Sequence, residues 1–405
     1  MSEMFTVGGV RRARPFIVRR LGHVGLTVTD IDASLHFYRD HLGLRVTDWY
    51  PFSERFPAAM LDPAFREART VFMRYAGDHH SVVLLNRPAH AVLESDPSRR
   101  YESGITVQQI SWQVDTLKEV VEADRWLQAS NIETQRAGRD MPGSNWHTYF
   151  YDCNGYINEL FYGMEQIGWD GYSKPFPMHA RLFNQRPPLP QISEYAEVTH
   201  FYRQGVSPTS GTRDDEPEEP YEVDGILLAR PFKVTQIGPL GLFVPDVKTT
   251  ADFYRQRLGL AVTEIVSWQG FESAFLRCGN DHHALALFPL GLREHLGLPS
   301  HTTLAFLGLR VTNYGQLQAA RSYLQDLGYR TVSWPHTLVR GFDYVCDVMD
   351  PDGHVVRLYH QIEQLGWSGQ PRGQGALGTA ADRWPEVLDG RDEEVWGPPL
   401  YGPLG

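Results

Sequence analysis

The sequence predicts an α+β protein of four strand-helix-strand-strand-strand (βαβββ) modules, paired into two similar domains, and three observations carry that prediction. Segments recur in a fixed order: "GHVGLTV" (22–28) returns as "GPLGLFV" (238–244), and "FYRDHLGLRVT" (37–47) as "FYRQRLGLAVT" (253–263). Likewise "GDHHSVVLL" (77–85) returns as "NDHHALALF" (280–288), and "EQIGWDG" (165–171) as "EQLGWSG" (363–369). An ordered repeat means a duplicated unit. Within each copy a smaller strand-and-helix pattern occurs twice, and a chain of 405 residues exceeds what one hydrophobic core usually organises.

The elements follow in chain order. The strand over 22–28 runs into a helix behind Asp30, with Ile31, Leu35, Tyr38 and Leu42 at helical spacing. Residues 71–75 and 81–85 then read as β-rich runs. A second module opens with "QQISWQV" (108–114), continues with a helical face of Leu117, Val120, Val121 and Leu127, and closes with "HTYFYD" and "INELFY" around an Asn154-Gly155 turn. The expected boundaries are a first domain over 19–166, a linker over 167–231, a second domain over 232–366 and a tail over 367–405. Proline and like charges in "QRPPLP" and "DDEPEEP" mark the linker, and the tail is rich in Gly and Pro around Trp384, Trp396 and Tyr401.

Composition narrows the function. A net charge of -11 and the lack of a long basic run argue against nucleic acid as a partner and favour a small molecule. The 3 cysteines, Cys153, Cys278 and Cys346, make neither a disulfide framework nor a CxxC metal site, so a reducing cytoplasmic compartment is expected. No apolar stretch approaches the ~18 residues of a membrane span, so no membrane partner is expected. A homo-oligomer is the expected assembly.

The chemistry-bearing residues lie on strands. Side chains alternate across a strand, so His23 shares a face with Gly25 and Thr27. Gln109 holds the matching place in the second module, two residues before Ser111, and Glu159 lies in that module's last strand. Pairing the modules brings an imidazole, an amide oxygen and a carboxylate to one point, a donor set suited to Fe, Mn or Zn with positions left open. On spacing alone, a histidine on an apolar strand is more often a hydrogen-bonded core residue.

Together, "GHVGLTVTD…FYRDHLGLRV", "DHHSVVL" and "NGYINELFY" resemble the vicinal oxygen chelate superfamily, and specifically its two-domain type I extradiol (catechol-cleaving) dioxygenases. The resemblance spans all four modules. It implies a metal triad at His23, Gln109 and Glu159, with Fe(II) as the ion and Mn(II) or Zn(II) as alternatives. It places the acid-base histidine at His80 and a substrate-bonding tyrosine at Tyr149. Asp140 falls where the family often has a histidine, Arg139 and Asp140 are assigned to substrate binding, and His147 offers a substitute imidazole or a strand-edge cap. The implied reaction joins an aromatic catechol-type substrate to O2 and opens the ring beside the diol.

Two departures stand out. Gln109 replaces a second histidine, and the triad sits in the N-terminal copy, whereas two-domain dioxygenases usually keep it in the C-terminal one. The C-terminal copy has Pro239, Phe306 and Arg357 at the three positions and Asp347 at that of Tyr149. It is expected to be metal-free and structural. Gln109 also keeps open a metal-dependent isomerase, lyase or epimerase of the glyoxalase kind. A non-catalytic small-molecule-binding protein of the same fold is the third alternative.

Overall fold

The computed structural model of the chain describes residues 4–52, 68–89, 104–139, 142–143, 145–179, 184–366, 369–371 and 384–388. The first sheet takes β1 (Arg20–Val28), β2 (Arg45–Pro51), β3 (Arg69–Arg74), β4 (Val82–Asn86), β5 (Val107–Gln113), β6 (Thr134–Gly138), β7 (Trp146–Tyr151) and β8 (Ile157–Tyr162). Their order across the sheet is β2-β3-β4-β1-β5-β8-β7-β6. The first strand of each module therefore lies in the middle, where β1 and β5 pair antiparallel. Each is flanked by the last strand of its own module in parallel, β4 beside β1 and β8 beside β5.

This topology explains why β1 is buried along nearly its whole length: neighbours cover both edges and packing covers both faces. It also sets β1, β5 and β8 side by side, so residues level with one another form a row across the sheet. The second sheet repeats the plan with β9 (Val234–Val244), β10 (Ala261–Trp268), β11 (Phe271–Arg277), β12 (Leu285–Pro289), β13 (Leu304–Val311), β14 (Thr331–Val332), β15 (Val345–Met349) and β16 (Val355–Tyr359). Its order is β10-β11-β12-β9-β13-β16-β15-β14. The architecture is α+β, as expected, with four modules in two matching sheets.

The first helix differs from the periodic reading. α1 (Ile31–Leu35) widens into a π-helical turn over His36–His41, in which Leu42 N–H donates to the Phe37 carbonyl at 3.0 Å, five residues back. The wider turn brings adjacent Phe37 and Tyr38 inward together and leaves Leu35 only half-buried, which a spacing of 3.6 residues does not produce. α2 (Leu117–Ala129) follows the expected pattern. Thr116 caps it by accepting from Glu119 N–H at 3.2 Å, and Val120, Val121 and Leu127 bury their side chains, each burial worth roughly 1.5–3 kcal/mol. Between the sheets in sequence, α3 (Glu194–Arg203) has no buried residue. The counterpart of α1, α4 (Val247–Phe253), widens into a π-turn in the same way over Tyr254–Leu258.

The chain forms two compact units. Of the described residues, one takes those up to Ile31 together with those over 44–216, and the other takes those over 32–43 with those from Pro217 onward. Within the second unit the Tyr38 hydroxyl donates to Asp350 at 3.0 Å and Phe37 packs edge-on against Tyr329. Among the described residues, no helix is long and apolar enough to cross a membrane.

Candidate metal centre

Strand register assembles the site. His23 pairs across from Ser111, Ser111 from Glu159, Glu159 from Tyr149, and Tyr149 from Arg136, so five residues of β1, β5, β8, β7 and β6 stand in one row. Gln109 lies two residues from Ser111 on the same face of β5 and opposite Gly25. Gly25 leaves room there, because a Cβ at that position would come within a tight 3.0 Å of the Gln109 Cβ. Gly22 makes room in a similar way. A methyl group there would fall 2.3 Å from the Phe161 ring, which packs 4.8 Å from the imidazole of His23.

The three sequence-predicted ligands converge. His23 Nε2 is 2.7 Å from Glu159 Oε2, and Gln109 Nε2 lies 2.8 Å from Glu159 Oε2 and 2.9 Å from His23 Nε2. Bonds of about 2.0–2.2 Å to one ion set neighbouring ligand atoms of a six-coordinate site roughly 3 Å apart, so these spacings match one face of such a site. Oxygen and nitrogen of an amide exchange places by a half-turn, and with an ion present the carbonyl oxygen is the ligand. The donor set therefore fits a divalent cation. Among the described residues, no three His, Cys, Asp or Glu side chains are arranged to hold one, so this triad needs the amide of Gln109.

Electrostatics favour the same use. Burial pushes the Glu159 carboxyl upward, but the charge and hydrogen bond of His23, the nearby His147 and the Ser111 hydroxyl outweigh it and hold the group at about 2. Glu159 is thus an anion in a fully buried place. Ser111 donates to its Oε2, and Asn145 donates to its Oε1 at 2.8 Å, which fixes the plane of the carboxylate.

The other candidate residues have three outcomes. His80 stands at the site, its ring 4.3 Å from that of His23; burial and then the neighbouring His23 and His79 push it well below the ordinary histidine range, so it is neutral. His147 and Tyr149 are also brought in, with His147 Nδ1 3.7 Å from Glu159 Oε1 and the Tyr149 ring 4.6 Å from that of His147. Arg139 is not brought in. Its Nη2 pairs with Glu197 at 2.9 Å and its guanidinium lies 5.0 Å from the Trp146 ring, beside a cavity of about 570 Å³ also lined by Lys174 and Tyr162. Trp146 and His147 alternate on β7 and face opposite sides, which separates Arg139 from the triad. Asp140 lies outside the described residues. Sequence reasoning missed Asn145, although its spacing of two from His147 and four from Tyr149 marks the same face.

The second sheet shows the same positions without ligands. Phe306 pairs across from Gly241, as Gln109 does from Gly25, and Arg357 lies across from Gly308 and Asp347. Arg357 bonds Asp347 at 2.9 and 2.8 Å and lies 4.0 Å over the Phe306 ring. Gly308 stands where Ser111 does, and a Cβ there would fall 2.6 Å from the Gly238 carbonyl oxygen.

Comparison with known proteins agrees with this duplicated plan. An iron-dependent extradiol dioxygenase of Rhodococcus jostii (strain RHA1) is 38% identical over 87 residues, 19% of this chain and 27% of that relative's length. Homoprotocatechuate 2,3-dioxygenase of Arthrobacter globiformis has a similar fold, with a TM-score of 0.55, 18% identity and coverage of 88% of this chain and 84% of the other. The Mn(II)-bound glyoxalase of Novosphingobium aromaticivorans is similar at a TM-score of 0.52 and 15% identity, covering 87% and 85% of the two chains. The pattern of the Glyoxalase/Bleomycin resistance protein/Dioxygenase superfamily matches residues 20–160 and 236–358, most of both sheets, and the chain belongs to that superfamily.

Proposed function

We propose that the protein is an extradiol ring-cleaving dioxygenase for a hydrophobic catechol-type substrate, with Fe(II) held by His23, Gln109 and Glu159 in the domain over 19–166. The domain over 232–366 is then its metal-free twin. The observation that carries this reading is the convergence of one imidazole, one amide and one carboxylate within 2.9 Å of each other. The named activity of the Rhodococcus relative supports it. When bound, the ion supplies a Lewis acid and redox centre for a chelating diol and O2.

The chain's own residues do the rest. Glu159 brings one negative charge, and His23 and Gln109 bring a ring nitrogen and an amide oxygen. Ser111 and Asn145 hold the carboxylate plane, so the triad is organised before an ion arrives. His80, its ring 4.3 Å from that of His23, is given the role of taking a hydroxyl proton from the substrate and returning it to the opened product. Tyr149 continues the row beside Glu159 and offers its hydroxyl to a bound substrate. Phe72 and Phe161 pack around His80 and His23 and provide apolar surroundings.

The test is anaerobic loading with Fe(II), then exposure to a panel of catechols and O2. A coloured ring-opened product with matching O2 uptake is expected, and its absence across a wide panel contradicts the proposal. A second reading rests on Gln109, a neutral oxygen donor in place of an imidazole: an isomerase, lyase or epimerase of the glyoxalase kind. Turnover without O2 consumption selects it.

A further inference from the structure

His80 has a second neighbour besides the triad. His79 Nδ1 lies 3.0 Å from His80 Nδ1, so one proton is shared between two ring nitrogens, and whichever ring donates fixes the tautomer of both. On its far side His79 Nε2 is buried, has no hydrogen bond, and faces Asp48 Oδ2 at 3.6 Å. That separation is too long for a hydrogen bond, yet in a buried place a carboxylate there repels a bare nitrogen lone pair and attracts an N–H. Asp48 is held in place by the Ser173 hydroxyl at 3.1 Å and the Thr212 hydroxyl at 2.8 Å. His179 Nε2 also approaches it, at 3.9 Å.

We propose that Asp48 and His79 are positioning residues that set the tautomer of His80. Asp48 selects the proton on His79 Nε2, which leaves His79 Nδ1 as an acceptor. His80 must then carry its proton on Nδ1, and its Nε2 is left bare as a base for the substrate hydroxyl. When that proton arrives at His80 Nε2, the Nδ1 proton is already shared with His79, and the new charge is drawn toward the Asp48 carboxylate. This inference rests on the role given to His80 in the proposed function.

The second sheet keeps the histidine pair, so the pair alone does not argue for a role in chemistry. His282 and His283 meet through Nδ1 atoms at the same 3.0 Å, and His282 Nε2 lies 2.9 Å from Glu264. What differs is the carboxylate's other partner. Arg340 grips Glu264 through two bonds of 2.6 and 2.9 Å, so that carboxylate is already neutralised. Gly341 and Gly143 occupy equivalent places, each bonded through its carbonyl to a glutamate N–H and each against a histidine of the pair, so Pro142 stands where Arg340 does. Proline offers no cation. His283 is closed in as well, with its Nε2 buried and unpartnered beside Phe306 and Phe342, whereas His80 lies against a candidate ligand.

Proton–nitrogen correlation spectra of metal-free, histidine-labelled full-length protein test the tautomer, with the His80 signal identified by its loss in His80→Gln. The expected result is a neutral His80 protonated at Nδ1, shifting to the Nε2-protonated form in His79→Phe and in the near-isosteric Asp48→Asn. A wild-type His80 protonated at Nε2, or a tautomer unchanged in both variants, overturns the proposal. In the ring-opening assay, His79→Phe and Asp48→Asn should lower kcat by about tenfold to a hundredfold with KM unchanged, and His282→Phe should not. An equal loss in His282→Phe, or a change confined to KM, also overturns it. Complete lack of ring opening in the wild type sinks the proposed function instead, and the spectra still decide the tautomer.

Discussion

Arg357 and Asp347 form a bidentate ion pair at the strand positions that Glu159 and Tyr149 hold in the first sheet. Both are essentially fully buried, and the guanidinium rests on Phe306, the residue that replaces Gln109. The twin site is thus closed by its own cation and an aromatic ring.

That closure predicts a specific pattern of stability. Arg357→Met leaves Asp347 charged and unpaired in the interior, and should cost about 3–5 kcal/mol in urea unfolding. Adding Asp347→Leu should recover most of the loss, because removing both charges also removes the desolvation cost. Equal instability of the single and double variants would contradict this account.

A second prediction concerns acid. Burial pushes the Glu264 carboxyl up, but hydrogen bonds from His282 and Arg340 and their charges hold it at about 2. Its folded value lies below the unfolded one, so its contribution is fully present above about pH 4.5 and is lost as pH falls toward 2. Because the group is only partly buried, roughly 1–2 kcal/mol is expected after allowing for solvent screening. The gap in urea midpoint between Glu264→Gln and wild type should therefore be widest at pH 7, smaller at pH 3 and close only as pH approaches 2.

Under the proposed function, Gln109 is the weakest donor of the triad. Gln109→His exchanges a weak oxygen donor for an imidazole and should tighten Fe(II) by about tenfold or more, read by competition with a chelator. Gln109→Ala should weaken it, by less than His23→Ala does.

Gly22 predicts a packing effect that reaches the ion. Gly22→Ala forces a methyl group into the Phe161 ring, costing roughly 1–3 kcal/mol, and the displaced ring pushes on His23. Lower thermal stability and weaker metal binding should appear together in this variant.

Much of this was legible in the sequence, for identifiable reasons. The ordered repeat gives two matching sheets, and strand alternation with the resemblance puts His23, Gln109 and Glu159 on one face, because a period of two is rigid once register is known. The π-turns were not legible, since "FYRDH" and "FYRQR" carry the spacing of an ordinary helix. The separation of Arg139 from the site was hidden for another reason. It lies one residue beyond β6, where alternation no longer tells which way a side chain points, and its partner Glu197 comes from a distant helix. Asn145 could have been found from the 145, 147, 149 alternation, but only once Glu159 was known to need a donor.

The most direct measurement is the metal content of freshly purified protein beside that of His23→Ala and of Arg357→Met. The account predicts about one divalent ion per chain in the wild type and in Arg357→Met, and almost none in His23→Ala. Wild-type protein that takes up no ion even after anaerobic loading, or a His23→Ala variant that keeps it, would contradict a cation held by the imidazole of the first strand.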